Sequence, residues 1–108
     1  MSTFACNLNA ISATDRPRYN DLVNRVRVAI RDRTEASNGY VFLLDSTRVT
    51  LPEVAEWISM ERRCCPFLTL QLHVSGEEEN WILTLSGTEG VKPLLEATFP
   101  VGISTPSR

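Results

Sequence analysis

The hydrophobic positions between residues 16 and 36 follow a helical repeat. Apolar side chains recur every three or four residues, at Tyr19, Leu22, Val23, Val26, Ala29 and Ile30. This spacing places them on one face of an amphipathic helix. Pro17 suits the first turn of that helix, and Asn38-Gly39 suits a left-handed stop after its last turn. We therefore predict a helix that continues to about Ala36.

Three later stretches predict strands. Residues 40–44 form a continuous apolar run, which is typical of a central strand that is covered on both faces. Residues 67–75 alternate between apolar and polar side chains, and the alternation resumes at 81–85 after a polar turn. These two segments predict a hairpin. Residues 3–8 are a candidate for a further, short edge strand.

The segment after residue 45 predicts a capped helix. Thr50 and Glu53 have the T-x-x-E spacing of a capping box, and Pro52 lies within the first turn. Pro66 disfavours helical dihedral angles at the residue before it, so we expect this helix to end near Cys64. A last short helix is predicted for residues 91–99.

The predicted order of elements is (β)-α-β-α-β-β-α. Helices of this kind cover one face of a mainly antiparallel sheet, so the fold class is α+β, a two-layer sandwich. The 108 residues correspond to a single domain. We assign residues 1–99 to that domain. Residues 100–108, with two prolines, a glycine and three hydroxyl side chains, are assigned to a loose C-terminal tail.

The charge and composition argue against several classes of function. The 11 Lys and Arg residues and 13 Asp and Glu residues give a formal net charge of −2, so no global field attracts nucleic acid or an anionic membrane. Six of the ten arginines lie between residues 16 and 33, and four acidic residues lie in or beside this stretch, which is typical of a solvated helix face. No apolar run approaches the ~20 residues of a membrane helix, and the first residues lack the pattern of a signal peptide. We expect a cytoplasmic protein.

The three cysteines carry the candidate chemistry. An odd number in an unsecreted chain argues against a disulfide framework, so reduced thiols would serve packing, metal binding or thiol chemistry. Cys64 and Cys65 are adjacent at the end of the predicted helix. Glu61 precedes them by three and four residues, which lets its carboxylate lie over both thiols. Soft thiolates select Zn(II), Cu(I) and other thiophilic ions.

The leading hypothesis is therefore a thiol-based site for a soft metal or metalloid ion, with no organic cofactor. Cys64 and Cys65 are its primary ligands, Cys6 is the candidate third thiol, and Glu61 completes or orients the set. Two further residues are candidates for supporting roles. Arg62 or its neighbour Arg63 would compensate the thiolate charge, and His73 would act as a ligand or as the partner of a ligand.

Two other interpretations stay open. With Cys64 as nucleophile and His73 as base, the protein would be a small thiol enzyme, although thiolates are favoured at the N-termini of helices and not at their C-termini. The cysteines would also suit core packing in an interaction module, because free cysteine is among the most buried residue types. The sequence leaves open both catalysis and homodimerisation.

Three motifs resemble those of a family of small, mostly uncharacterised bacterial proteins: GYVF at 40–43, ERRCCPF at 61–67 and LSGTEGVK at 85–92. That family shares an E-R-x-C-C-P-F segment followed by a strand pair and a G-x-x-G-V-K turn, and the resemblance covers residues 4–97. Its A-C-x-L start is matched by Ala5-Cys6-Asn7-Leu8, which implies that Cys6 joins Glu61, Cys64 and Cys65 in a shared site. Members are associated with heavy-metal resistance gene clusters, which implies a thiophilic metal or metalloid as the ligand.

Overall fold

The computed structural model describes residues 8–88 and 90–99, which form three α-helices and four β-strands after a short 3₁₀ turn at Leu8–Ala10. The elements are α1 (Arg16–Ala29), β1 (Ile30–Ala36), β2 (Gly39–Asp45), α2 (Leu51–Cys64), β3 (Thr69–His73), β4 (Asn80–Ser86) and α3 (Lys92–Thr98). The strands form one antiparallel sheet in the order β1-β2-β4-β3. This confirms the α+β class and the predicted hairpin of β3 and β4.

The first helix is shorter than predicted. It ends at Ala29, and the next seven residues form the edge strand β1, which pairs with β2. Asn38-Gly39 is not a helix stop but belongs to the tight connection between these strands, in which Ala36 pairs with Gly39. The prediction of a helix to Ala36 is wrong because the polar side chains of residues 31–35 suit a solvated helix as well as an edge strand, and only pairing with β2 decides between them.

Side-chain contacts connect β1 to β2, and both strands to the third helix. The guanidinium of Arg33 lies over the ring of Tyr40, 4.7 Å from its centroid, in a cation–π contact. Glu35 forms an ion pair with Lys92 at 2.5 Å, and the Tyr40 hydroxyl donates a hydrogen bond to the Glu96 carboxylate. These contacts hold a strand that has few apolar side chains to bury.

The core lies between the helices and one face of the sheet. Tyr40, Phe42 and Leu44 of β2 are buried on this face, and Leu83 and Leu85 are buried beside them on β4. The sheet order places β2 in the interior of the sheet, as predicted. Its second face is less covered than expected, because Val41 and Leu43 remain half-buried.

Helix α2 begins and ends as the sequence predicts. The Thr50 hydroxyl accepts a hydrogen bond from the Glu53 amide at 3.3 Å, and the Glu53 carboxylate accepts one from the Thr50 amide at 2.9 Å, which completes the capping box. The helix ends at Cys64, and Cys65 follows as the C-cap. Because the helix ends at Cys64, Glu61 lies in its last turn.

Two predictions concern the ends of the chain. The strand expected at residues 3–8 and the tail expected at 100–108 lie outside the described residues, apart from Leu8, which begins the 3₁₀ turn. Within the described ranges, every helix is too short or too polar to cross a membrane.

Candidate metal centre

The C-terminal end of α2 brings one carboxylate and two sulfur atoms together. Glu61, Cys64 and Cys65 each offer one potential ligand atom, and these atoms lie within 4.8 Å of one another. The two Sγ atoms are 3.5 Å apart. Residues three and four positions apart share one face of a helix, which explains why this local sequence assembles the group. The structure thus shows a cluster that could hold a metal ion.

The cluster is buried. Glu61 is 2% exposed, and both cysteines are 0% exposed. Carboxylates are seldom buried without a partner. Here the hydroxyl of Tyr19, on α1, donates a hydrogen bond to Glu61 Oε1 at 2.8 Å, and the same hydroxyl lies 3.5 Å from the Cys64 Sγ. Tyr19 therefore links the carboxylate to the thiol and anchors the cluster to the first helix.

Burial governs the protonation of these groups. It raises the pKa of Glu61, and the hydrogen bond from Tyr19 offsets part of that rise. Burial also raises the pKa of the Cys64 thiol, while Tyr19 lowers it and the charge of Glu61 raises it further. The pKa of Tyr19 is raised as well, first by burial and then by its contact with Cys64. Burial therefore shifts all three groups toward their protonated forms, and a bound cation would shift them back toward the ionised ones.

Trp57 forms part of the wall of the site. Its indole is 0% exposed and lies one helical turn before Glu61. The indole N–H acts on the Glu61 carboxylate and lowers its pKa, but Nε1 has no partner that meets hydrogen-bond geometry. A buried donor without a partner typically costs about 1–3 kcal/mol.

The two adjacent cysteines differ in oxidation state. Cys64 is a free thiol, whereas Cys65 is disulfide-bonded. The prediction of reduced thiols is therefore wrong for Cys65, because the cellular compartment does not determine which sulfur atoms the fold brings together. Cys65 can act as a ligand only after reduction. Cys6, the predicted third thiol, lies outside the described residues.

The residues predicted to support the site lie outside this group. Arg62 and Arg63 are exposed, and neither affects the pKa of Glu61 or Cys64. His73 is also exposed, and it alternates along β3 with Leu70 and Leu72, which pack against the core. The structure therefore brings together Glu61, Cys64 and Cys65 and leaves Arg62, Arg63 and His73 at exposed positions outside the cluster.

Two residues of the site, Tyr19 and Trp57, were not predicted from the sequence. The helical repeat places Tyr19 on the apolar face of the first helix, and no motif singles out Trp57. Both positions are buried. A signal was present, because a buried tyrosine or tryptophan normally requires a hydrogen-bond partner for its polar atom.

Comparison with known proteins does not extend this description. No family model matches the chain, and no curated protein or solved structure matches it either. The fold and the site together define the class of the protein: an α+β domain with a buried cluster of sulfur and carboxylate groups that could hold a metal ion.

Proposed function

We propose that the reduced protein binds a soft metal or metalloid ion through Cys64 and Cys65, with Glu61 completing or orienting the ligand set. The observation that carries the proposal is the convergence of three potential ligand atoms within 4.8 Å at the end of one helix. Two thiolates favour Zn(II) or another thiophilic ion over hard cations such as Mg(II).

The protein contributes orientation and burial to this binding. Tyr19 holds the Glu61 carboxylate by a 2.8 Å hydrogen bond, as partners of metal ligands commonly do. Because burial raises the pKa of Cys64, a thiophilic ion must displace a proton from this thiol. Ion binding is then expected to release protons and to weaken at low pH.

Reduction of Cys65 is a condition of the proposal, so we place the functioning protein in a reducing compartment, the cytoplasm. A role in heavy-metal resistance is part of the proposal because of the resemblance carried by the ERRCCPF segment. The proposed partner is the ion itself, with no nucleic acid or membrane involved.

The alternative functions are less well supported. A nucleophilic cysteine needs a lowered pKa, but burial raises that of Cys64, and the exposed His73 is not part of its surroundings. Core packing explains two buried cysteines but gives no reason for a buried carboxylate beside them, since a carboxylate is costly to bury.

Native mass spectrometry of the reduced protein, titrated with Zn(II), Hg(II) and As(III), tests the proposal. We expect a stoichiometric complex with at least one of these ions, and we expect it to disappear in the double variant Cys64→Ser/Cys65→Ser. The variant His73→Ala, at an exposed position outside the cluster, is the control and should bind as the original protein does. Failure to bind any of the three ions would contradict the proposal and leave the cysteines to packing.

A further inference from the structure

We propose that the outer face of the sheet, which points away from the buried core, is an interface between two copies of this chain. The two sheets pack face to face around a two-fold axis parallel to their strands. This surface is separate from the candidate metal centre at the end of α2, so the inference does not depend on the proposed function. Three features of the described residues support it: apolar side chains on the outer face, the strand register that aligns them, and complementary groups at the two edges.

The outer face carries apolar side chains in the two central strands. An antiparallel sheet that packs one face on a core usually presents polar side chains on the other. In β2 and β4 the outward positions are instead held by Val41, Leu43 and Ile82, which are half-buried. The buried residues of all three helices belong to one core on the opposite face, and these three side chains are not part of it. They therefore form an apolar patch at the centre of the outer face.

The register of the strands aligns this patch with polar residues at both edges of the sheet. Residues that pair directly across neighbouring strands point to the same face, so each row of paired residues crosses the whole outer face. The two rows that contain the patch are, from β1 to β3, Asp32, Leu43, Ile82 and His73, and Thr34, Val41, Thr84 and Gln71. The edge residues of both rows are exposed. An apolar centre with a polar rim is the usual arrangement of a protein–protein interface.

The two edges of the outer face complement each other, which favours a second copy as the occupant. Within the described ranges, neither Asp32 nor His73 forms an ion pair. A two-fold axis parallel to the strands places β1 of one copy over β3 of the other, so each Asp32 carboxylate accepts a hydrogen bond from the imidazole of the partner's His73. The same axis places Leu43 over Ile82. An axis perpendicular to the strands would instead bring the two Asp32 carboxylates together, and such contacts between like charges are destabilising.

The size of the outer face determines the expected strength of the dimer. With neighbouring strands ~4.8 Å apart and a rise of ~3.3 Å per residue, the four strands present a face of roughly 19 by 20 Å. Two such faces pack about 10 Å apart with their strands nearly aligned, which brings the edge side chains of the two copies within reach. An interface of this size lies at the small end of specific interfaces, so we expect a weak, reversible dimer.

Sedimentation velocity across the micromolar concentration range tests the interface. We expect a monomer–dimer equilibrium, and the intact mass under denaturing conditions should be that of one chain, which excludes a disulfide-linked dimer. Leu43→Arg, at the centre of the patch, should raise the dissociation constant at least about tenfold. Val28→Arg is the matched control, because it introduces the same side chain at a position on α1 that is 59% exposed, and it should dimerise as before. A monomer at every concentration would overturn the proposal and leave the outer face to the chain's own terminal residues or to a different protein.

An exchange of charge between the two edges tests the orientation of the copies. Asp32→Lys and His73→Asp change exposed side chains, so both variants should fold, as circular dichroism can verify. Each should weaken the dimer roughly three- to tenfold, because the edge contact occurs twice in a symmetric pair. The double variant Asp32→Lys/His73→Asp restores opposite charges across the interface and should dimerise as the original protein does. A double variant that dimerises no better than the single variants would overturn the proposed packing.

Discussion

Replacing Tyr19 by phenylalanine should destabilise the protein by an amount that increases with pH. The substitution removes one oxygen atom from a buried position, and with it the 2.8 Å hydrogen bond to Glu61 and the contact with the Cys64 thiol. The phenyl ring keeps the packing of α1 against the core. The effect should therefore report on the hydrogen bond itself.

The expected magnitude depends on the protonation of Glu61. Burial raises its pKa, so the folded protein holds the proton more tightly than the unfolded chain. Stability is then complete below the ordinary pKa of a glutamate and falls as the pH rises through the raised pKa of the folded state. At low pH the variant loses a hydrogen bond to a neutral acceptor, about 1 kcal/mol. At higher pH it loses one to a carboxylate, about 1.5–3 kcal/mol.

Urea denaturation at several pH values, followed by tryptophan fluorescence, measures this difference in the free energy of unfolding. Carbon NMR of the labelled Glu61 side chain should show that its pKa rises further in the variant, because Tyr19 lowers it in the original protein. Tyr40→Phe is the matched control: it removes a tyrosine–carboxylate hydrogen bond too, but the acceptor, Glu96, is exposed. A loss of stability that does not depend on pH, or an unchanged pKa of Glu61, would refute the reasoning.

Three further substitutions test the fold and the site. Glu61→Gln should raise the free energy of unfolding at neutral pH and flatten its decline from acid to neutral pH, because the amide carries no charge to bury; a steeper decline in urea titrations would contradict this. Thr50→Ala should cost about 1 kcal/mol by removing the cap of α2, as measured by thermal denaturation. Gly39→Ala should greatly reduce the yield of folded protein, because its Cβ would lie 1.9 Å from the Leu85 carbonyl oxygen, whereas Gly76→Ala, which meets nothing within 4 Å, should be tolerated.

The parts of the fold that the sequence predicts correctly have local causes. The capping box at Thr50 and the proline after Cys65 act within a few residues, so they define both ends of α2. Strand β1 has no comparable local signal: it is an edge strand with alternating charges, and its partners lie on β2 and α3. Its polar side chains suit two structures, and contacts distant in the sequence decide between them.

The same distinction applies to the candidate site. Glu61, Cys64 and Cys65 lie within five consecutive residues, and helical geometry alone predicts that they converge. Tyr19 lies 42 residues before Glu61, and its contact depends on how α1 packs against α2. A single sequence contains no pattern that pairs these two positions, so the hydrogen bond could not be predicted from it.

The contact between Tyr19 and Glu61 has a consequence for the motions of the domain. Because α2 carries the potential ligands while α1 supplies the hydroxyl that holds one of them, the two helices cannot separate without breaking the site. A bound ion would therefore stabilise the packing of α1 against α2. The amide hydrogens of α1 would exchange with deuterium more slowly in the loaded protein, although that helix contributes no ligand of its own. Hydrogen exchange in α1 would thus report whether an ion is bound at the end of α2.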